Sequence, residues 1–129
     1  MKILVIDDDP AMTELLKILL QPSATLILTA SSGSEGIDLA RQFNPDIIIL
    51  DLMMPEMDGW QVCSIIRGFS TKPILILSAL DSPGQVARAL DAGADDYLIK
   101  PVTSGVLHAH IKNLVRRATN ELAEQKTSQ

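Results

Sequence analysis

The chain has 129 residues, 47% of them hydrophobic and 21% charged, which suits one domain around one aliphatic core and argues against disorder. Only 3% of residues are aromatic and the formal net charge is −5, so this segment offers no base-stacking platform and, beyond Arg116-Arg117, no basic run to grip nucleic acid. The single cysteine, Cys63, excludes an internal disulfide and suits a reducing cytoplasm, and neither a secretory leader nor an apolar run of ~18–20 residues is in evidence.

The elements alternate. Ile3 to Ile6 is a short continuous apolar run, the pattern of a strand covered on both faces. Asp9 caps the next helix and Pro10 suits its first position, and Met12, Leu15, Leu16 and Leu19 recur at helical spacing as its buried stripe. Gln21-Pro22-Ser23 stops that helix. Ala24 to Ala30 reads as the second strand, and Ser31 to Ser34 as turn and cap for a helix carrying Ile37, Ala40 and Phe43. Asn44-Pro45-Asp46 leads into a third strand ending at Leu50. After the loop Asp51 to Gly59 comes a helix with Val62, Ile65 and Ile66 that ends near Gly68. Pro73 leads the fourth strand, and Ser82-Pro83 opens an Ala-rich helix that Gly93 terminates. A brief fifth strand spans about Asp96 to Ile99. The last helix starts near Thr103 and buries Leu107, Ile111, Leu114 and Val115. No internal repeat appears. We divide the chain into a domain of residues 1–118 and a helix end or linker at 119–129.

Five strand–helix units in strict alternation imply a doubly wound parallel sheet with helices on both faces. Strands one, three, four and five each end in polar residues able to handle phosphate: Asp7-Asp8-Asp9, Asp51, Ser78 and Lys100-Pro101. Strand two ends in the bland Thr29-Ala30-Ser31. Placing strand two at an edge gives the order 2-1-3-4-5, the flavodoxin-like order, with its ligand crevice between strands one and three. The fold class is therefore α/β, and Asp7, Asp8 and Asp51 flank the crevice.

Three clustered carboxylates repel one another, and a bound divalent cation removes the conflict. Hard oxygen ligands beside a phosphate site point to Mg²⁺. With the charge neutralised, Asp51 can attack phosphorus as a nucleophile. Lys100 would stabilise the phosphoryl oxygens and the Ser78 hydroxyl would donate to one of them. A cis Lys100–Pro101 bond, costing only ~0.5–1 kcal/mol, would aim Lys100 inward. Singly, each residue has an ordinary reading as cap, turn, loop or solvated side chain. Together, four such accidents at equivalent strand ends are less economical than one phosphate site.

The chain closely resembles the receiver domain of two-component response regulators from Met1 to about Ala118. The motifs are 3–10 (Ile-Leu-Val-Ile-Asp-Asp-Asp-Pro), 48–59 (Ile-Ile-Leu-Asp-Leu-Met-Met-Pro-Glu-Met-Asp-Gly), Ser78-Ala79 and 93–101 (Gly-Ala-Asp-Asp-Tyr-Leu-Ile-Lys-Pro). The resemblance implies that Asp51 accepts the phosphoryl group, that Asp8 ligates Mg²⁺ directly and Asp7 through water, and that the Met53 carbonyl is a further ligand. It implies phosphoryl contacts from Ser78 and Lys100 and a cis Pro101. It also implies a switch in which Ser78 moves toward the phosphoryl group and Tyr97 turns inward, shifting the face made by the fourth helix, fifth strand and fifth helix. The donor would be a histidine kinase or phosphotransfer protein, and the output a partner or attached effector domain. Catalysis would be limited to self-phosphorylation and its reversal. The competing readings are a receiver-like module indifferent to phosphorylation, an aspartyl-phosphate hydrolase (which usually needs an aspartate where Met53 stands) and a flavoprotein, whose phosphate Asp7-Asp8-Asp9 would repel.

The resemblance is greatest to receivers of winged-helix DNA-binding regulators, which often dimerise through ion pairs on that output face. Asp91, Asp96 and Lys112 match that pattern, whereas Val86, Val106 and His110 replace the usual basic, acidic and arginine residues. A homodimer there would lack two of the usual ion pairs and gain apolar contact. His108 and His110, two apart on a helix, share no face and read as solvated or interface residues. Cys63 reads as core, Trp60 as cover for the start of the third helix, and Met53, Met54 and Met57 as loop packing.

Overall fold

The computed structural model describes residues 1–127. Among them, β1 (Lys2–Ile6), β2 (Leu26–Ala30), β3 (Ile47–Leu50), β4 (Ile74–Ser78) and β5 (Asp96–Ile99) alternate with α1 (Pro10–Leu20), α2 (Gly33–Phe43), α3 (Gly59–Arg67), α4 (Pro83–Asp91) and α5 (Ser104–Thr127). The strands form one parallel sheet in the order β2-β1-β3-β4-β5. This is the doubly wound, flavodoxin-like arrangement expected from the alternation.

Side chains alternate across a strand, so each apolar run feeds two cores. Leu4, Ile6, Ile48, Leu50, Ile74 and Ile76 face α2, α3 and α4, packing on Ile37, Val62, Ile66 and Ala89. Ile3, Val5, Ile47, Ile49, Leu75 and Leu77 face α1 and α5, packing on Leu16, Leu20, Leu107, Ile111 and Leu114. Each such aliphatic side chain stabilises the fold by about 1.5–3 kcal/mol through burial alone. The central strands are thereby fixed in register, and so are the polar residues that follow them.

Several local expectations are corrected. β2 begins at Leu26, because Thr25 turns to hold the chain start: its hydroxyl accepts from the Met1 ammonium at 2.7 Å. Gln21–Ser23 closes α1 as a 3-10 turn. In α1 the buried positions are Leu16 and Leu20, while Leu15 is 47% exposed. Ile65 in α3 and Phe43 in α2 also lie at the surface, whereas Cys63 is buried in the core as expected. As expected, α4 ends just before Gly93, which takes a φ of 115°, a conformation that favours glycine. The segment 119–129 lies outside the described residues at Ser128 and Gln129, and up to Thr127 it continues α5.

Candidate functional site

The ladder extends one residue past β1 and β3. The Asp7 N–H donates to the Ala30 carbonyl (3.1 Å) and the Asp51 N–H to the Ile6 carbonyl (3.0 Å), which sets the two carboxylates on adjacent strand ends. The three aspartates of the first loop then part. Asp7 is buried, Asp8 is exposed, and Asp9 caps α1 by accepting from the Ala11 N–H at 3.0 Å. Asp9 in turn donates its N–H to Asp7 Oδ1 at 2.9 Å, which orients the Asp7 carboxylate.

Lys100 supplies the counter-charge. Its Nζ lies 2.9 Å from Asp7 Oδ2 and 3.6 Å from Asp51 Oδ2, with all three side chains largely out of water. The residue is delivered from the end of β5, where its N–H donates to the Ser78 carbonyl (2.8 Å) and the Lys100–Pro101 bond is cis. Ser78 is fully buried at the end of β4, its hydroxyl accepting from the Leu80 N–H at 3.3 Å. Asp51 Oδ1 accepts from the Met53 N–H at 3.4 Å. Burial raises the Asp51 pKa above the ordinary carboxylate value; Lys100 opposes that rise and Asp7 adds to it.

Asp7, Asp8 and Asp51 each bring a carboxylate oxygen into one cluster, all within 4.8 Å of one another. Two of the three are buried, and a single lysine cannot balance them. This all-oxygen, strongly anionic set fits a small hard dication such as Mg²⁺ and suits neither soft nor imidazole-preferring metals.

Three features hold the loop after Asp51 and the Tyr97 side chain. The Gly59 N–H donates to the Leu52 carbonyl at 2.9 Å, and a Cβ at Gly59 would sit 2.3 Å from the Asp51 carbonyl oxygen, so α3 can start against this loop only with glycine. An Asp58–Gln61 capping box fixes that start. Tyr97 is half-buried and donates its hydroxyl to the Leu80 carbonyl at 2.6 Å, tying β5 to the loop before α4. Burial pushes its pKa up, against the pull of the neighbouring Ser78 hydroxyl.

Residues 3–112 match the response regulator receiver domain family. The chain belongs to that family. It is 40% identical over 119 residues to "Transcriptional regulatory protein AfsQ1" of Streptomyces coelicolor, covering 92% of this chain and 53% of that protein. It is 38% identical to "DNA-binding response regulator MtrA" of Mycolicibacterium smegmatis, covering 95% and 54%. The chain thus spans about half the length of these curated relatives. Among solved structures, a two-component response regulator from Clostridium difficile is 34% identical with a TM-score of 0.87, covering 91% of this chain and 97% of that one. The beryllofluoride-activated receiver domain of Klebsiella pneumoniae RstA is 30% identical with a TM-score of 0.86, covering 90% and 99%.

The receiver's remaining candidates lie apart from the acidic cluster. Val86 is half-buried, Val106 and Asp91 are exposed, and Lys112 points into solvent. Asp96 is engaged within its own chain: His110 Nδ1 contacts its Oδ2 and the Tyr97 N–H donates to its Oδ1 at 2.8 Å. His108 is a structural tie and not a solvated residue, its ring bridging the Ser23 hydroxyl (2.8 Å) and the Leu19 carbonyl (2.7 Å). Nε2–H donates to the Leu19 carbonyl and Nδ1 shares a hydrogen bond with the Ser23 hydroxyl, so both ring nitrogens are satisfied. Sequence reading overlooked Arg67, which donates to the Gly93, Ser70 and Lys72 carbonyls and pairs with Asp95. It also overlooked the contact of Arg88 with Trp60. Neither lies in a motif: Arg67 bonds to main-chain carbonyls and to Asp95 from another loop, and Arg88 meets Trp60 across two helices.

Proposed function

We propose that the chain is a phosphorylation-operated switch whose acceptor is Asp51, with a histidine kinase or phosphotransfer protein as donor. The observation that carries this reading is the Lys100 ammonium set between the Asp7 and Asp51 carboxylates at one sheet edge, beside the fully buried Ser78 hydroxyl. An Asp51 oxygen attacks the donor phosphorus; the new O–P bond forms as the donor's N–P bond breaks, and the imidazole nitrogen keeps the electron pair and takes a proton. Lys100 and Ser78 meet the charge on the phosphoryl oxygens. Mg²⁺, held by Asp7, Asp8, Asp51 and the Met53 carbonyl, would neutralise charge on the incoming group.

Tyr97 and Ser78 would carry the change to the α4–β5–α5 face. The output is a downstream protein or an attached effector domain. The names of AfsQ1 and MtrA support a transcriptional effector, with any DNA contact outside this segment. A homodimer through that face would rest on Val86 and Val106 more than on ion pairs, since Asp96 is already paired with His110. A phosphoryl group drawn from ATP through a kinase implies the cytoplasm.

The test is to incubate the chain with Mg²⁺ and acetyl phosphate and resolve it on a phosphate-affinity gel beside Asp51→Asn. A shifted, base-labile band in the parent and none in the variant supports the reading. Sustained release of phosphate from many small esters would favour a hydrolase instead.

A further inference from the structure

We propose that the stacking of Arg88 on Trp60 is a latch holding α4 against α3 in the resting state, so that loosening it lowers the threshold for the output face to rearrange. The second half of this rests on the receiver reading above; the first does not.

α4 is weakly held. Ala89 is its one buried side chain, and a methyl group offers little apolar area. Below its outer half runs an open groove of about 350 Å³ between α3 and α4, lined by Trp60, Gln61, Ser64, Ile65, Arg88 and Ala92. Helices parted in this way leave room for one to shift. The Arg88 guanidinium crosses the gap and lies 4.1 Å from the centre of the Trp60 ring. None of the ion pairs among the described residues includes Arg88, so the indole is its partner. Trp60 Nε1 is buried without a hydrogen-bond partner. No polar bond therefore anchors the ring, and packing and the cation set its position. At its other end α4 follows Leu80, whose carbonyl holds the Tyr97 hydroxyl. The helix is thus strung between two ties, one facing the acidic cluster and one on the outer surface.

A cation over an indole at an exposed site contributes about 0.5–1 kcal/mol, equivalent to roughly two- to five-fold in an opening equilibrium. The first test needs no phosphoryl group. Amide hydrogen exchange across 83–91 should run two- to five-fold faster in Arg88→Met than in the parent, with α1 and α2 unchanged, and that difference should vanish in a Trp60→Leu background. Emission from Trp60, the chain's only tryptophan, should also differ between parent and Arg88→Met. Unchanged exchange, an equal acceleration in both backgrounds, or unchanged emission overturns the latch. In the second test, the beryllofluoride concentration giving half-saturation in Mg²⁺ should fall two- to five-fold in Arg88→Met. Faster exchange with an unmoved midpoint overturns the coupling to the switch. Failure of the parent to respond to beryllofluoride at all strikes the receiver reading, and the exchange result then decides the latch alone.

Discussion

The Lys100 ammonium rests 2.9 Å from Asp7 and 3.6 Å from Asp51, leaning on the carboxylate that is not the proposed acceptor. In that position it offsets the repulsion between the two carboxylates. A cation taken up by Asp7 would weaken its hold on Lys100 and leave the ammonium for phosphoryl oxygens.

Lys100→Met should therefore have two effects. Leaving the carboxylates without their counter-charge should destabilise the metal-free chain by about 1–3 kcal/mol, read from urea unfolding. Loss of the cation at the developing charge should slow adduct formation from acetyl phosphate by about 10–100-fold. Lys100→Arg should not restore the rate, because a planar fork cannot replace a compact ammonium in a site of this size.

Burial raises the Asp51 pKa in the folded chain above the ordinary 3.8. A raised carboxyl pKa favours the fold fully below pH 3.8, and the benefit is lost as pH climbs through the folded value. At neutral pH the ionised, buried Asp51 thus works against the fold. Asp51→Asn should melt higher than the parent at pH 8 without divalent cations, with an advantage that shrinks as pH falls. Melting curves at stepped pH check this; an advantage that grows toward acid would contradict it.

The acidic cluster predicts stabilisation by Mg²⁺. At about 100 times its dissociation constant the ion should add about 2.7 kcal/mol, visible as a rise in Tm. Asp8 is exposed and takes part in no hydrogen bond or ion pair among the described residues, so Asp8→Asn should not lower the metal-free Tm and should lose most of the Mg²⁺ response.

Arg67 should matter to stability and not to phosphotransfer. It donates to three loop carbonyls and to Asp95, and the Gly93 turn packs so closely on its stem that a Cβ there would lie 2.5 Å from Cγ. Arg67→Met should cost about 2–4 kcal/mol in chemical denaturation, since several carbonyls lose their donor. Adduct formation at temperatures where the variant is folded should match the parent.

The sheet order and the acidic cluster were legible because both follow from where apolar runs stop. A strand buried on both faces must be continuously apolar, and the first polar residue at its end marks the sheet edge; Asp7, Asp51 and Ser78 obey this rule, while Lys100 follows the partly exposed edge strand β5. Helix faces were less legible. Leu15 and Ile65 fit a helical stripe as well as Leu20 and Cys63 do, and only the direction of each helix across the sheet decides which are covered. The ties made by Arg67, His108 and Arg88 were invisible for a related reason. Most of their partners are main-chain carbonyls, which leave no trace in a sequence, and the rest are side chains that only the fold brings close. Gly59 lies inside a motif, but the reason for it, the Asp51 carbonyl 2.3 Å from a notional Cβ, arises only once the loop is folded.

The central claim is that the phosphoryl group becomes covalently part of Asp51. Borohydride reduces an acyl phosphate to the alcohol, so treatment after incubation with acetyl phosphate and Mg²⁺ should convert the acceptor aspartate to homoserine. Peptide mass mapping should then find homoserine at position 51, with Asp7, Asp8 and Asp9 unchanged. Homoserine at another aspartate, or none at all, would contradict the account.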